Sequence, residues 1–264
     1  MSARDFLVRG LLAGLIAAFA AFGVAYVVGE PSVRAAIALE DSAGGHSHGT
    51  ETADAGEHAE EDGPAAGGVE VPRSLQSTLG LLTGLLIAGV TLGGLVGVVS
   101  ALAMGRFGRL TARSTTLAVT ATAFVAVYVV PFLIYPPHPP AVGRGGTIGL
   151  RSALYFIFLA ISLVAAVTAV AVGRRVSQKV GGWHAALIGI AGYVLVMLVV
   201  MALMPHYNEV PDTFPASMLF DFRRASFLTQ FTLWAVLGVV LAEFVGRLTR
   251  SASAPERALA DVRG

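Results

Sequence analysis

Apolar residues run along this chain in blocks of about 20, the length a helix needs to cross roughly 30 Å of hydrocarbon. Six blocks stand out: Arg9 to Val28, Gln76 to Ala103, Thr115 to Ile134, Arg151 to Val172, Trp183 to Met204 and Ala225 to Gly246. The pattern predicts an all-α integral membrane protein of about six transmembrane helices, with residues 1–264 forming a single membrane domain. Arg4 and Arg9 precede the apolar stretch of the first block as they would in a secretory signal, but Leu11 to Val28 exceeds the usual apolar core of one. It reads as a retained helix.

Proline marks the expected exits on one side: Pro31, Pro136 with Pro137, and Pro205. With no N–H to donate, proline is expected to end the helices there and stiffen the loops. Glycine suggests how the helices meet. Gly80 with Gly84, Gly89 with Gly93, and Gly93 with Gly97 are small-xxx-small pairs that let a neighbouring backbone approach, which points to the second helix as the centre of the bundle. Glycine is also simply common in membrane helices.

Charge then orients the bundle. The amino terminus, the segments around Arg106 to Arg113 and Arg174 to Lys179, and the carboxyl terminus hold twelve basic residues. The remaining connections hold six, together with 13 of the 17 acids. By the positive-inside rule both termini are cytoplasmic. Residues 29–75 then form a long extracytoplasmic loop, of which 42–68 are poor in apolar residues and expected to be flexible.

Composition narrows the chemistry. Hydrophobic residues make up 55% of the chain and mean hydropathy is +0.72, as a polytopic membrane protein requires. With no cysteine, disulfides, thiolate metal sites and cysteine nucleophiles are excluded. No GxxxxGK[ST], HExxH or GxSxG motif is present, and no charge falls near the middle of a predicted span, so the chain reads as a non-enzyme without a proton-relay carboxylate.

What remains is metal chemistry. GGHSHGTETADAGEHAEEDG, residues 44–63, places His46, His48 and His58 among six acids, and imidazole with carboxylate suits Co²⁺, Ni²⁺ or Zn²⁺. A solvated acidic tether is the plainer reading of the same stretch. His138 in YPPHPP and His206 with Glu209 in MPHYNEVPDTFP are further candidate ligands. Met197, Met201 and Met204 form a stripe leading up to His206. Ser226, Thr229 and Gln230 share a face of the sixth helix. Either face can line a permeation path or simply pack.

Four segments carry a family resemblance: YVVGEP, the run VYVVPFLIYPP followed by PPAVGRGGTIGLRSALY, NEVPDTFPASMLFDFRRASFLTQFTLW, and the histidine-rich loop. Together they resemble the cobalt transporter subunit CbtA family across nearly the whole chain. The resemblance implies a multi-pass protein of the prokaryotic inner membrane that takes up Co²⁺ for cobalamin synthesis. It also implies a partner, the small single-span subunit CbtB. The expected function is therefore a cobalt transporter subunit with no permanently bound cofactor and no nucleic-acid partner; a homo-oligomer is compatible with it. The alternative is a membrane metal sensor or scaffold that presents metal to a partner without moving it.

Overall fold

A computed structural model describes residues 2–44, 75–107, 110–140, 142–143, 145–207 and 209–261. All the described regular structure is helical, and six helical stretches are long and apolar enough to cross a membrane: Ala3–Ser42, Thr78–Ala103, Ala112–Ile134, Ile148–Val180, Gly182–Leu203 and Ala216–Arg250. They correspond one for one to the six expected blocks and are called the first to sixth spans below.

The first and second spans cross at bare backbone. A Cβ on Gly10 would collide with the Gly93 carbonyl and one on Gly14 with the Gly89 carbonyl, while Gly97 abuts Phe6 and Gly10. The expected packing face of the second span is therefore present at Gly89, Gly93 and Gly97, but its partner is the GxxxG pair Gly10 and Gly14. Gly84 meets nothing, and Gly80 touches only the Leu75 carbonyl at 3.8 Å. The second span shares the centre with the first and sixth: Leu85 and Val96 belong to one core cluster with Ala13, Ala17 and Ala21 of the first span and a stripe of fully buried Leu233, Leu237, Leu241 and Val245 on the sixth. Small residues on the first helix thus face large ones on the sixth.

The third span packs antiparallel on the sixth through aromatic rings. Phe124 contacts Trp234 and Phe231 with centroids 5.9 and 6.1 Å apart, and Phe132 meets Phe227 edge-on at 5.7 Å. At one end of this pair Arg113 salt-bridges Glu243 at 2.8 Å. Phe6 meets Gly97 towards that same end, so the first span begins there and the sixth ends there. The opposite end is called distal. The fourth and fifth spans form a hairpin turned by a single residue, Gly181, whose φ of +82° is open to glycine. The connection expected around Arg174, Arg175 and Lys179 is thus a continuation of the fourth helix: past the hydrocarbon boundary charge no longer opposes helix, and only the glycine stops it.

A second departure concerns Pro31. Expected to end the first helix, it instead lies inside a helix unbroken from Ala3 to Gly44, so residues 30–44 of the expected long loop are helical. A π-helical turn over Ala25–Gly29 makes this possible, with the Glu30 N–H donating to the Ala25 carbonyl. The wider turn draws the carbonyls away from the proline ring, and the missing donor costs one bond rather than the helix. The third span repeats the device: a π-turn at Val125–Val129 precedes Pro131, and the Val130 N–H donates to the Val125 carbonyl. In that register Pro131 leaves the Ala126 carbonyl without its helical donor. Ser162 of the fourth span supplies one, its Oγ donating to that oxygen at 2.7 Å, and the Tyr193 hydroxyl of the fifth span completes the chain to Ser162 Oγ at 2.8 Å. One proline thereby stitches three spans together. Pro136, Pro137 and Pro205 do follow helix ends, as expected.

Candidate functional site

At the distal end the first, third, fourth and sixth spans splay around a partly open cavity of about 550 Å³. Its wall includes Gly29, Glu30 and Val33 of the first span, Tyr128 and Phe132 of the third, Tyr155 of the fourth, and Ser226, Thr229 and Gln230 of the sixth. Tyr135 and Pro137 roof it. The surface is mainly apolar with a few polar groups, the usual make-up of a small-ligand or ion site. The two π-turns shape it, since Ala25, Gly29 and Tyr128 all belong to them.

Glu30 is the charge in this wall. Its side chain is only 6% exposed and accepts a hydrogen bond from Arg34 Nε at 3.1 Å, while Arg34 itself is 60% exposed. A carboxylate this enclosed requires compensation, and i, i+4 spacing on one helix puts the guanidinium within reach. The sequence reading missed it. Glu30 stood at the supposed exit marked by Pro31; with the helix continuing, it belongs to the first span and faces the cavity. A buried carboxylate therefore does exist, although toward the distal end rather than at mid-span. Gly29 and Pro31 flank Glu30 and read as a helix end; the only signal to the contrary was the helix-compatible run from Val33 to Leu39 beyond the proline. Tyr128 belongs to the same wall, and its hydroxyl is enclosed and makes no hydrogen bond among the described residues.

Above the cavity the two proline-rich loops lock together. Glu209 is held at 10% exposure by Arg151 Nη1 at 3.0 Å and by Thr147 Oγ1, which donates to it at 2.6 Å. Gly143, with φ +115°, lies against the Arg151 guanidinium, and a Cβ there would strike it. The Tyr135 hydroxyl donates to the Pro205 carbonyl at 3.0 Å, and burial pushes its pKa up. His138 is half-buried in the same cap. Burial pushes its pKa below the usual imidazole range, the positive charges of Arg223 and Arg151 add to the effect, and Glu209 opposes it. The ring is thus kept neutral, the form that binds metals.

The other expected site residues fall as follows. His206 is exposed, while Glu209 turns its oxygens to Arg151 and Thr147. Met197 is buried with Val130, Ile134 and Phe158, and Met201 and Met204 pack on that cluster, so the methionine stripe fills the junction of the third, fourth and fifth spans. Ser226 and Thr229 line the cavity but direct their hydroxyls to the Phe222 and Ala225 carbonyls of their own helix, each at 2.9 Å. Gln230 lines it one residue further on. His46, His48 and His58 lie outside the described residues. Among the described residues no three His, Asp or Glu side chains converge as a metal-ligand group.

Comparison with curated proteins and with solved structures returns no match. A family model covers residues 3–246, which takes in five spans and the sixth as far as Gly246, the distal cavity and both proline-rich loops, under the description "Probable cobalt transporter subunit (CbtA)". The six apolar spans, the paired proline loops and this match agree: the chain is a multi-pass membrane protein that belongs to the CbtA cobalt transporter subunit family.

Proposed function

We propose that this protein conducts Co²⁺ across the prokaryotic inner membrane, or carries it part of the way, as one subunit of an uptake system whose other member is a small CbtB-like membrane protein. The chain transports and does not catalyse. The observation that carries the reading is the distal cavity, because it opens a partly polar space with a buried carboxylate into an otherwise apolar bundle. With both termini cytoplasmic, that cavity faces the side from which the ion is taken up. His46, His48 and His58, with the surrounding acids, collect ions on that side of the membrane, and they accept Ni²⁺ or Zn²⁺ as well as Co²⁺. Glu209 anchors the cap through Arg151, and His138 and His206 are secondary contacts at most.

The experiment is radiolabelled cobalt uptake into proteoliposomes that hold this chain alone or with its partner subunit. Saturable uptake by either preparation is expected. Cobalt that binds without crossing would replace the transport reading with that of a sensor or scaffold. Deleting residues 44–63 is expected to reduce uptake at limiting cobalt and to leave it nearly intact at saturating cobalt.

A further inference from the structure

We infer that the distal cavity is a cation site that takes a divalent ion with its water shell largely intact, held by the charge of Glu30 rather than by a set of protein ligands. This deepens, and rests on, the transport reading. Three observations carry it. First, among the described residues the cavity wall offers one carboxylate and neutral oxygens, with no imidazole, thiolate or thioether. One carboxylate cannot replace the inner shell of a first-row ion, which in protein sites takes four or more donors. Second, the space suits the hydrated ion: six waters at about 30 Å³ each occupy on the order of 180 Å³, within a cavity of about 550 Å³. Third, the wall supplies hydrogen-bonding partners for such a shell. Gln230 faces the space, and the Ser226 and Thr229 hydroxyl oxygens, which donate to their own helix, accept from the waters of such a shell.

Arg34 then has a definite part. It reaches Glu30 from one turn along the helix and is mostly exposed, so it is a tethered cation that an incoming ion displaces toward water. It keeps the carboxylate compensated when the cavity holds no ion, and it competes with the ion for Glu30. Two variants on one helix therefore have opposite effects. Glu30→Gln removes the attraction, and Arg34→Gln removes the competitor. A merely structural ion pair would weaken in the same direction whichever partner was lost.

The test uses the chain in nanodiscs with residues 44–63 deleted, so that neither the histidines nor the acids of that stretch contribute ligands. Co²⁺ is titrated by calorimetry and by visible absorption. Expected are weak binding with the faint absorption of an octahedral aqua ion, at least a tenfold loss with Glu30→Gln, a several-fold gain with Arg34→Gln, and competition by Mg²⁺ within about tenfold, since a site that reads charge through water does not follow the ligand affinity order. Glu30→Asp keeps the charge and is expected to retain binding; it remains informative where Glu30→Gln fails to assemble. The inference is overturned by an intense tetrahedral cobalt band that depends on Glu30, by binding unaffected in Glu30→Gln, or by weakening in Arg34→Gln. Uptake measured in parallel separates it from the transport reading. Wild-type transport that persists in Glu30→Gln removes the cavity site and leaves transport standing, whereas Glu30-dependent binding without wild-type transport removes only transport.

Discussion

His138 shows how one side chain takes its character from neighbours far along the chain. In the sequence it is a histidine among prolines; in the fold it lies half-buried in the field of Arg151 and Arg223, with Glu209 opposing. Its folded pKa is depressed below that of the unfolded chain. The stability it contributes is therefore complete above the unfolded value, about 6.5, and is lost as pH falls from there through the folded value. His138→Asn is expected to flatten the fall in thermal stability between pH 7 and pH 5, read by melting at a series of pH values. Glu209 teaches a similar lesson. The sequence paired it with His206, three residues away, but its oxygens are engaged by Arg151 and Thr147, about sixty residues away. Chemistry-bearing residues were legible as types, and their partners were not, because a loop residue's contacts depend on which other loop the helices deliver to it.

At the scale of elements, the apolar blocks were read to within a few residues on their membrane-embedded stretches and poorly at their ends. The misses at Pro31 and around Arg174 share a cause: a helix ends where the backbone forces it to, not where hydropathy falls. The glycine faces were half legible. A Cβ on Gly10 would enter the backbone of the second span, so Gly10→Ala is expected to cost about 2–3 kcal/mol as an overpacking change. Gly84→Ala, with open space around it, is expected to be neutral or slightly stabilising, since alanine favours helix by about 1 kcal/mol. Denaturant titration in mixed micelles distinguishes the two. The π-turn of the third span gives another expectation. Ser162→Ala strips the Ala126 carbonyl of the donor that replaces the one absent at Pro131, which costs about 1–3 kcal/mol for a buried unsatisfied group. Tyr193→Phe removes only the outer link to Ser162 and is expected to cost less. The reverse order, measured by the same titration, would show that Ser162 serves the tyrosine rather than the carbonyl.

For the whole molecule, the orientation drawn from charge has its own check. The chain contains no cysteine, so single cysteines can be placed at Ser2, Thr52 and Ser253 without background. A membrane-impermeant maleimide applied to intact spheroplasts is expected to label Thr52→Cys alone and to reach the other two only after lysis. Labelling of Ser2→Cys in intact cells would invert the topology and turn the distal cavity toward the cytoplasm. Membrane insertion and the number of spans were determined by the sequence itself, because transfer into hydrocarbon sums over each local segment and needs no knowledge of the rest of the chain. The charge bias that predicts orientation is likewise a property of short connecting segments. Only the tertiary structure decided that the first and sixth helices join the second at the centre, that Glu30 faces a cavity and that Glu209 is bound to Arg151. Each of these depends on how a helix is rotated about its axis and where a π-turn shifts that rotation, and in lipid rotation is set by the fit of one helix against another, not by apolarity along a single one.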